Sequence, residues 1–148
     1  MTYSLVTQFK AEHRHCNALF LYAERLAAAA QWEQAQRALD EFLRALEAHL
    51  LAEEEVLFTA LEAWYGGPVL PAQAMRREHA EMRALLRELK EAACACDADD
   101  FDGLAETLLI LMQQHDAKEE RVLYPMAERM LADASLGPSS VPGTSDGR

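Results

Sequence analysis

Apolar residues recur at three- and four-residue steps through four stretches of this chain, and every stretch carries a histidine on its apolar stripe. Phe9, His13, Cys16, Leu19 and Phe20 share one face in the first, and Phe42, Leu46, His49, Glu53, Val56 and Leu57 in the second. Met75, His79, Met82, Leu85 and Leu86 form the third stripe, and Leu108, Met112, His115, Glu119, Val122 and Leu123 the fourth. A period near 3.6 predicts amphipathic helices with these faces turned inward. The breaks between stripes place the helices at residues 4–29, 33–65, 71–95 and 100–132. Gly66-Gly67-Pro68 followed by Pro71 is a stop and restart signal, and Asp97, Asp99 and Asp100 offer N-caps to the fourth helix. Short connections predict an all-α, up-down-up-down antiparallel four-helix bundle. Pro125 lies inside the fourth pattern and removes one backbone donor, which predicts a kink near the end.

The two halves repeat. His13, His49 and Glu53 return 66 residues on as His79, His115 and Glu119. Their flanks return as well: Glu12-His13 as Glu78-His79, and Glu53-Glu54 as Glu119-Glu120. A duplicated helical hairpin with three potential ligands per copy is the simplest account. The first hairpin turn has no strong breaker, and it is placed near Ala30-Gln31-Trp32 because the offset maps those residues onto Cys96-Asp97-Ala98.

Composition adds boundaries. A half-apolar chain of 148 residues supports one domain without disulfides. We assign residues 1–132 to it, and the Ser-, Gly- and Pro-rich stretch 133–148 to a disordered tail. Fourteen basic against 25 acidic residues give a net charge of −11, which disfavours nucleic-acid and anionic-membrane partners. No apolar run reaches bilayer-spanning length and no leader pattern opens the chain, so a cytoplasmic setting is expected. Three cysteines make an odd count, read as reduced thiols, with Cys16 packing as a small hydrophobe.

The chemistry follows from the stripes. A carboxylate on a core face costs several kcal/mol unless it is paired or metal-bound. No Lys or Arg shares the inward positions with Glu53 or Glu119. His and Glu four residues apart sit one turn above each other and converge on one point. Four imidazoles and two carboxylates exceed what one tetrahedral zinc takes, and they suit two iron ions with two histidines each and both glutamates bridging. His15 lies about 200° round the helix from His13 and is expected to be dispensable.

At Glu12-His13-Arg14, His49 to Glu53-Glu54, Glu78-His79 and His115 to Glu119-Glu120 the chain resembles the hemerythrin-like, His-His-Glu cation-binding family, over residues 4–132. The resemblance implies a four-helix bundle around a non-heme di-iron centre that meets oxygen or nitric oxide. Oxygen carriers of the family have a further histidine one turn after the third-helix ligand, where this chain has Arg83. Arg83 cannot coordinate a cation, and turned inward it would favour an anionic bound species. Carriers also take their fourth-helix carboxylate from the position of Glu120, whereas the internal repeat favours Glu119. The resulting four-histidine, two-glutamate set is similar to the hemerythrin domains of proteins implicated in repair of iron–sulfur centres, and a role in stress response, sensing or iron-centre repair is expected. Reversible oxygen storage and peroxide-consuming di-iron oxidoreduction are the alternatives, and turnover is left open.

Overall fold

The structure, a computed structural model, describes residues 4–136. Four helical rods make up these residues, with no strand among them. Helix α1 spans Leu5–Ala28, and the second rod runs through α2 (Trp32–Ala52), a π-helical segment π1 (Glu53–Phe58) and α3 (Thr59–Tyr65). Helix α4 spans Leu70–Cys94, and the last rod runs through α5 (Ala98–Lys118), a second π-helical segment π2 (Glu119–Leu123) and α6 (Tyr124–Leu136). The final helix thus passes the expected boundary at 132 by four residues, and the rest of the expected tail lies outside the described residues.

The caps explain most of these limits. Ser4 Oγ accepts from the Thr7 N–H at 3.0 Å, and Asp97 Oδ1 accepts from the Asp100 N–H at 3.1 Å. Gly66 ends α3 in the left-handed conformation at φ +78°, and Pro71 stands in the first turn of α4. The turn after α1 is hidden from sequence because Ala30 takes φ +58° where glycine is the usual choice, and its repeat partner Cys96 takes φ +54°. Each is held by a six-residue closure: Gln31 N–H to Leu26 O and Asp97 N–H to Ala92 O, both 3.0 Å. The repeat therefore extends to backbone hydrogen bonds.

Each π-helical segment begins at one of the two inward glutamates. In π2 the Tyr124 N–H bonds the carbonyl of Glu119, five residues back. Pro125 follows immediately, so the kink expected there takes the form of a widened turn. Its repeat partner, Thr59, acts differently: the Thr59 hydroxyl donates to Glu55 O at 2.6 Å. The widening corrects one expectation, since Val56 and Val122, read as inward, are 52% and 45% exposed. In an ordinary α-helix a residue five positions on lies about 140° round. The wider turn instead brings Phe58 and Tyr124 onto the face of Glu53 and Glu119, and all four are fully buried.

Two apolar clusters fill the interior. One joins Cys16, Phe20, Leu39, Phe42, Leu46, Met82, Leu89, Phe101 and Leu108, and the other joins Val6, Phe9, Leu57, Phe58, Leu61, Met75, Leu123 and Tyr124. Burial of such side chains contributes about 1.5–3 kcal/mol each. The helices carrying both clusters also carry, between them, the histidines and glutamates of the four stripes.

Candidate metal centre

Tyrosine apart, the buried polar or charged residues among those described are His13, His49, Glu53, His79, His115 and Glu119, the six expected from the stripes. Helix α1 contributes His13, α4 contributes His79, and the other two rods each contribute a histidine at the end of the α-helix and a glutamate at the start of the π-helix. They fall into two overlapping groups. Ligand atoms of His13, His49, Glu53 and Glu119 lie within 4.8 Å of one another, and so do those of Glu53, His79, His115 and Glu119. Both glutamates belong to both groups. His15 is exposed and outside them.

Each of the four inward imidazoles is clamped from behind by a second carboxylate. His13 Nδ1 meets Glu120 at 2.8 Å, His49 Nδ1 meets Glu12 at 2.7 Å, His79 Nδ1 meets Glu54 at 2.7 Å and His115 Nδ1 meets Glu78 at 2.8 Å. A carboxylate at Nδ1 fixes the proton there and leaves Nε2, the inward nitrogen, as the electron-pair donor. These four carboxylates obey the same 66-residue offset, Glu12 with Glu78 and Glu54 with Glu120. The repeated glutamates of the sequence motifs were thus visible, but their task was not. Glu120, the alternative bridge, is one of these outer acceptors, and Glu119 occupies the inward position.

The outer carboxylates are in turn held. Arg83 donates to Glu54 at 2.8 and 3.2 Å and to Glu47 at 2.9 and 3.1 Å. Its charge serves the clamp on His79, not the interior, because Glu54 and Glu47 offer two carboxylates on the outer side. Lys118 bonds Glu78, and Gln8 donates to Glu12 at 3.0 Å.

Inside the clamps, polar atoms are left over. His49 Nε2, His79 Nε2, His115 Nε2, Glu53 Oε1 and Glu119 Oε2 are buried without a hydrogen-bond partner. Each such atom costs about 1–3 kcal/mol, more when charged. Five at one place, three nitrogens and two carboxylate oxygens, fit a divalent or trivalent cation by number and by donor type.

Electrostatics agree. Burial pushes the His13 pKa down, but the Glu119 hydrogen bond and the Asp116 and Glu119 charges lift it to about 9. His79 rises to about 10 against its burial through the neighbouring Glu119 and Glu53 carboxylates, 3.7 and 3.2 Å from its Nε2. Burial raises Glu119, yet the imidazoles of His115, His13 and His79 around it hold it well below the carboxylate range. The carboxylates thus demand positive charge, which protons or metal ions can supply.

Two further groups reach the centre, and the stripes did not single them out. The Tyr124 hydroxyl donates to Glu53 Oε2 at 2.5 Å and lies 3.1 Å from His13 Nε2 and 3.3 Å from Glu119 Oε1. Asp116 Oδ1 stands 3.4 Å from His13 Nε2, and burial raises its pKa to about 6. Asp116 was legible only as an acidic neighbour of His115, and Tyr124 was hidden by the widened turn. Cys16 is buried and free, and Cys94 and Cys96 are exposed and free.

Comparison with known proteins identifies the family. The profile described as hemerythrin HHE cation binding domain matches residues 4–127. A DNA nickase from Nostoc sp. (strain PCC 7120) is 28% identical over 115 residues, 78% of this chain and 31% of that protein. The chain therefore spans about a third of that relative's length. No solved structure matches. The chain belongs to the hemerythrin HHE cation-binding family. No helix among the described residues is long and apolar enough to cross a membrane.

Proposed function

We propose that this member of the hemerythrin HHE cation-binding family holds two iron ions and reacts with small diatomic ligands, nitric oxide or oxygen. His13 and His49 hold one ion, His79 and His115 the other, and Glu53 and Glu119 are shared. The observation that carries this reading is the set of five buried nitrogen and oxygen atoms without partners, lying inside four clamped imidazoles. Mixed imidazole and carboxylate donors suit iron, and two shared carboxylates suit a pair of ions better than one zinc. Iron bound there supplies one-electron chemistry and open coordination positions. The chain's own residues orient the four Nε2 atoms, keep bulk water from Glu53 and Glu119, and hold protons at the four Nδ1 atoms. An antiparallel up-down-up-down arrangement and a cytoplasmic setting go with this reading.

The ligand count favours reaction over carriage. Arg83 supplies no fifth imidazole and is engaged by Glu47 and Glu54, so the set stays at four histidines. A role in stress response, sensing or iron-centre repair follows better from such a centre than reversible oxygen storage or peroxide consumption. DNA nicking, which the longer relative's name describes, is disfavoured for this chain by its net charge of −11. The test is to add oxygen to the anaerobically reduced protein and then remove it. Irreversible oxidation, with a separate spectral change on nitric oxide, is expected. Full and repeated recovery of the ferrous spectrum would establish a carrier instead.

A further inference from the structure

The 66-residue repeat fails at several positions around the centre, and at two of them a polar group in the second half replaces an apolar one in the first. Tyr124 has Phe58 as its counterpart, and Asp116 has Leu50. The pairs are otherwise matched in placement: the Tyr124 ring packs on His13 with centroids 5.5 Å apart, and the Phe58 ring on His79 at 5.6 Å. Phe58 and Leu50 are fully buried and apolar. Tyr124 instead brings a hydroxyl to His13, Glu53 and Glu119, and Asp116 brings a carboxylate to His13 Nε2.

The surface breaks symmetry on the same side. A cleft of about 290 Å³ is lined by His13, Arg14, Asn17, Asp116 and Glu120, among others. His79 is fully buried, with its ring against Phe58 and Arg76 stacked over that ring at 5.3 Å. His13 thus borders a polar cleft and a hydroxyl-bearing ring, whereas the His79 ring is sealed from solvent under an apolar one.

We propose that Tyr124 and Asp116 make the two ion positions unequal, with the His13–His49 position polar and exchangeable and the His79–His115 position closed. This rests on the two-iron reading. Tyr124 acts as a positioning residue, because its hydroxyl ties Glu53 to the His13 side while its ring fixes the imidazole. Asp116 stands at the mouth as a third carboxylate within reach of a cation held by His13. Carboxylate is a hard donor suited to ferric iron, and an accessible carboxylate also gives an ion a path out. The closed side has neither device, so an ion there is held by imidazoles and shared glutamates under an apolar cover.

The experiment uses full-length protein loaded with ⁵⁷Fe and read by Mössbauer spectroscopy, alongside iron release to ferrozine from the reduced protein. The wild-type protein is expected to give two quadrupole doublets of equal area and to lose half its iron in a fast phase. The double variant Tyr124→Phe with Asp116→Leu gives the second half the apolar residues of the first at both positions, so one doublet and loss of the fast phase are expected. Moving the hydroxyl across with Phe58→Tyr and Tyr124→Phe should keep two doublets. If the Leu variant fails to fold, Asp116→Asn with Tyr124→Phe takes its place, with the same merging of doublets expected. Two irons per chain giving a single wild-type doublet and one release phase would overturn this inference alone. Two doublets and the fast phase surviving in the double variant would also overturn it. Failure of the wild-type chain to take up two irons would instead remove the reading beneath it.

Discussion

Raising the pH should destabilise the metal-free protein, because the imidazoles beside its buried carboxylates then lose the protons that substitute for metal. His13 and His79 have folded-state pKa values lifted from 6.5 to about 9 and about 10, against their own burial, chiefly through the adjacent Glu119 carboxylate and, for His79, Glu53 as well. A histidine with a raised folded pKa contributes stability that is fully present below about 6.5 and is lost as pH passes through the folded value. Each pKa unit corresponds to about 1.4 kcal/mol, so His13 accounts for about 3 kcal/mol and His79 for about 5 kcal/mol. Both lean on Glu119, so the two do not add. A total loss on the order of 3–5 kcal/mol is a large fraction of the roughly 5–15 kcal/mol that holds a domain together. For a chain of this size it lowers Tm by roughly 10–20 °C. The assay is a series of thermal melts of chelator-treated protein from pH 6.5 to 10. Iron-loaded protein is the control for lysine and tyrosine titration, since its ions remain on the inward nitrogens. A metal-free Tm that stays level across this window would refute the electrostatic account of the centre.

Three substitutions probe the ligand set further. His13→Ala should lose iron while His15→Ala retains it, as read by metal analysis of the purified variants, because His13 is buried among the glutamates and His15 is exposed. Glu54→Gln should weaken metal binding by roughly 10–100-fold in a competition titration, since it loosens the clamp on His79 Nδ1 and removes the charge that Arg83 pairs with there.

The inward histidines and glutamates were legible because each is a polar interruption of an apolar stripe, repeated at one offset. That signal needs only helical periodicity and the cost of burying charge. The widened turns after Glu53 and Glu119 were not legible, because Glu-Glu-Glu-Val-Leu-Phe and Glu-Glu-Arg-Val-Leu read locally as ordinary α-helix. That one shift of register turned Val56 and Val122 outward and admitted Tyr124. The first turn escaped notice for a similar reason, since Ala30 adopts a left-handed conformation that alanine does not advertise. The outer glutamates were present in the motifs, but which nitrogen they hold depends on the packing of neighbouring helices. Arg83 was read as a missing ligand, and only its two carboxylate partners reveal what it does.

The central claim is that these residues hold a pair of ions sharing two carboxylates, and the most direct measurement is the metal-to-protein ratio of full-length chain reconstituted anaerobically with ferrous iron. The account predicts two irons per wild-type chain, with Glu53→Ala and Glu119→Ala each losing both together because each carboxylate belongs to both ligand groups. A single iron per wild-type chain, or variants that lose one ion and retain the other, would contradict it.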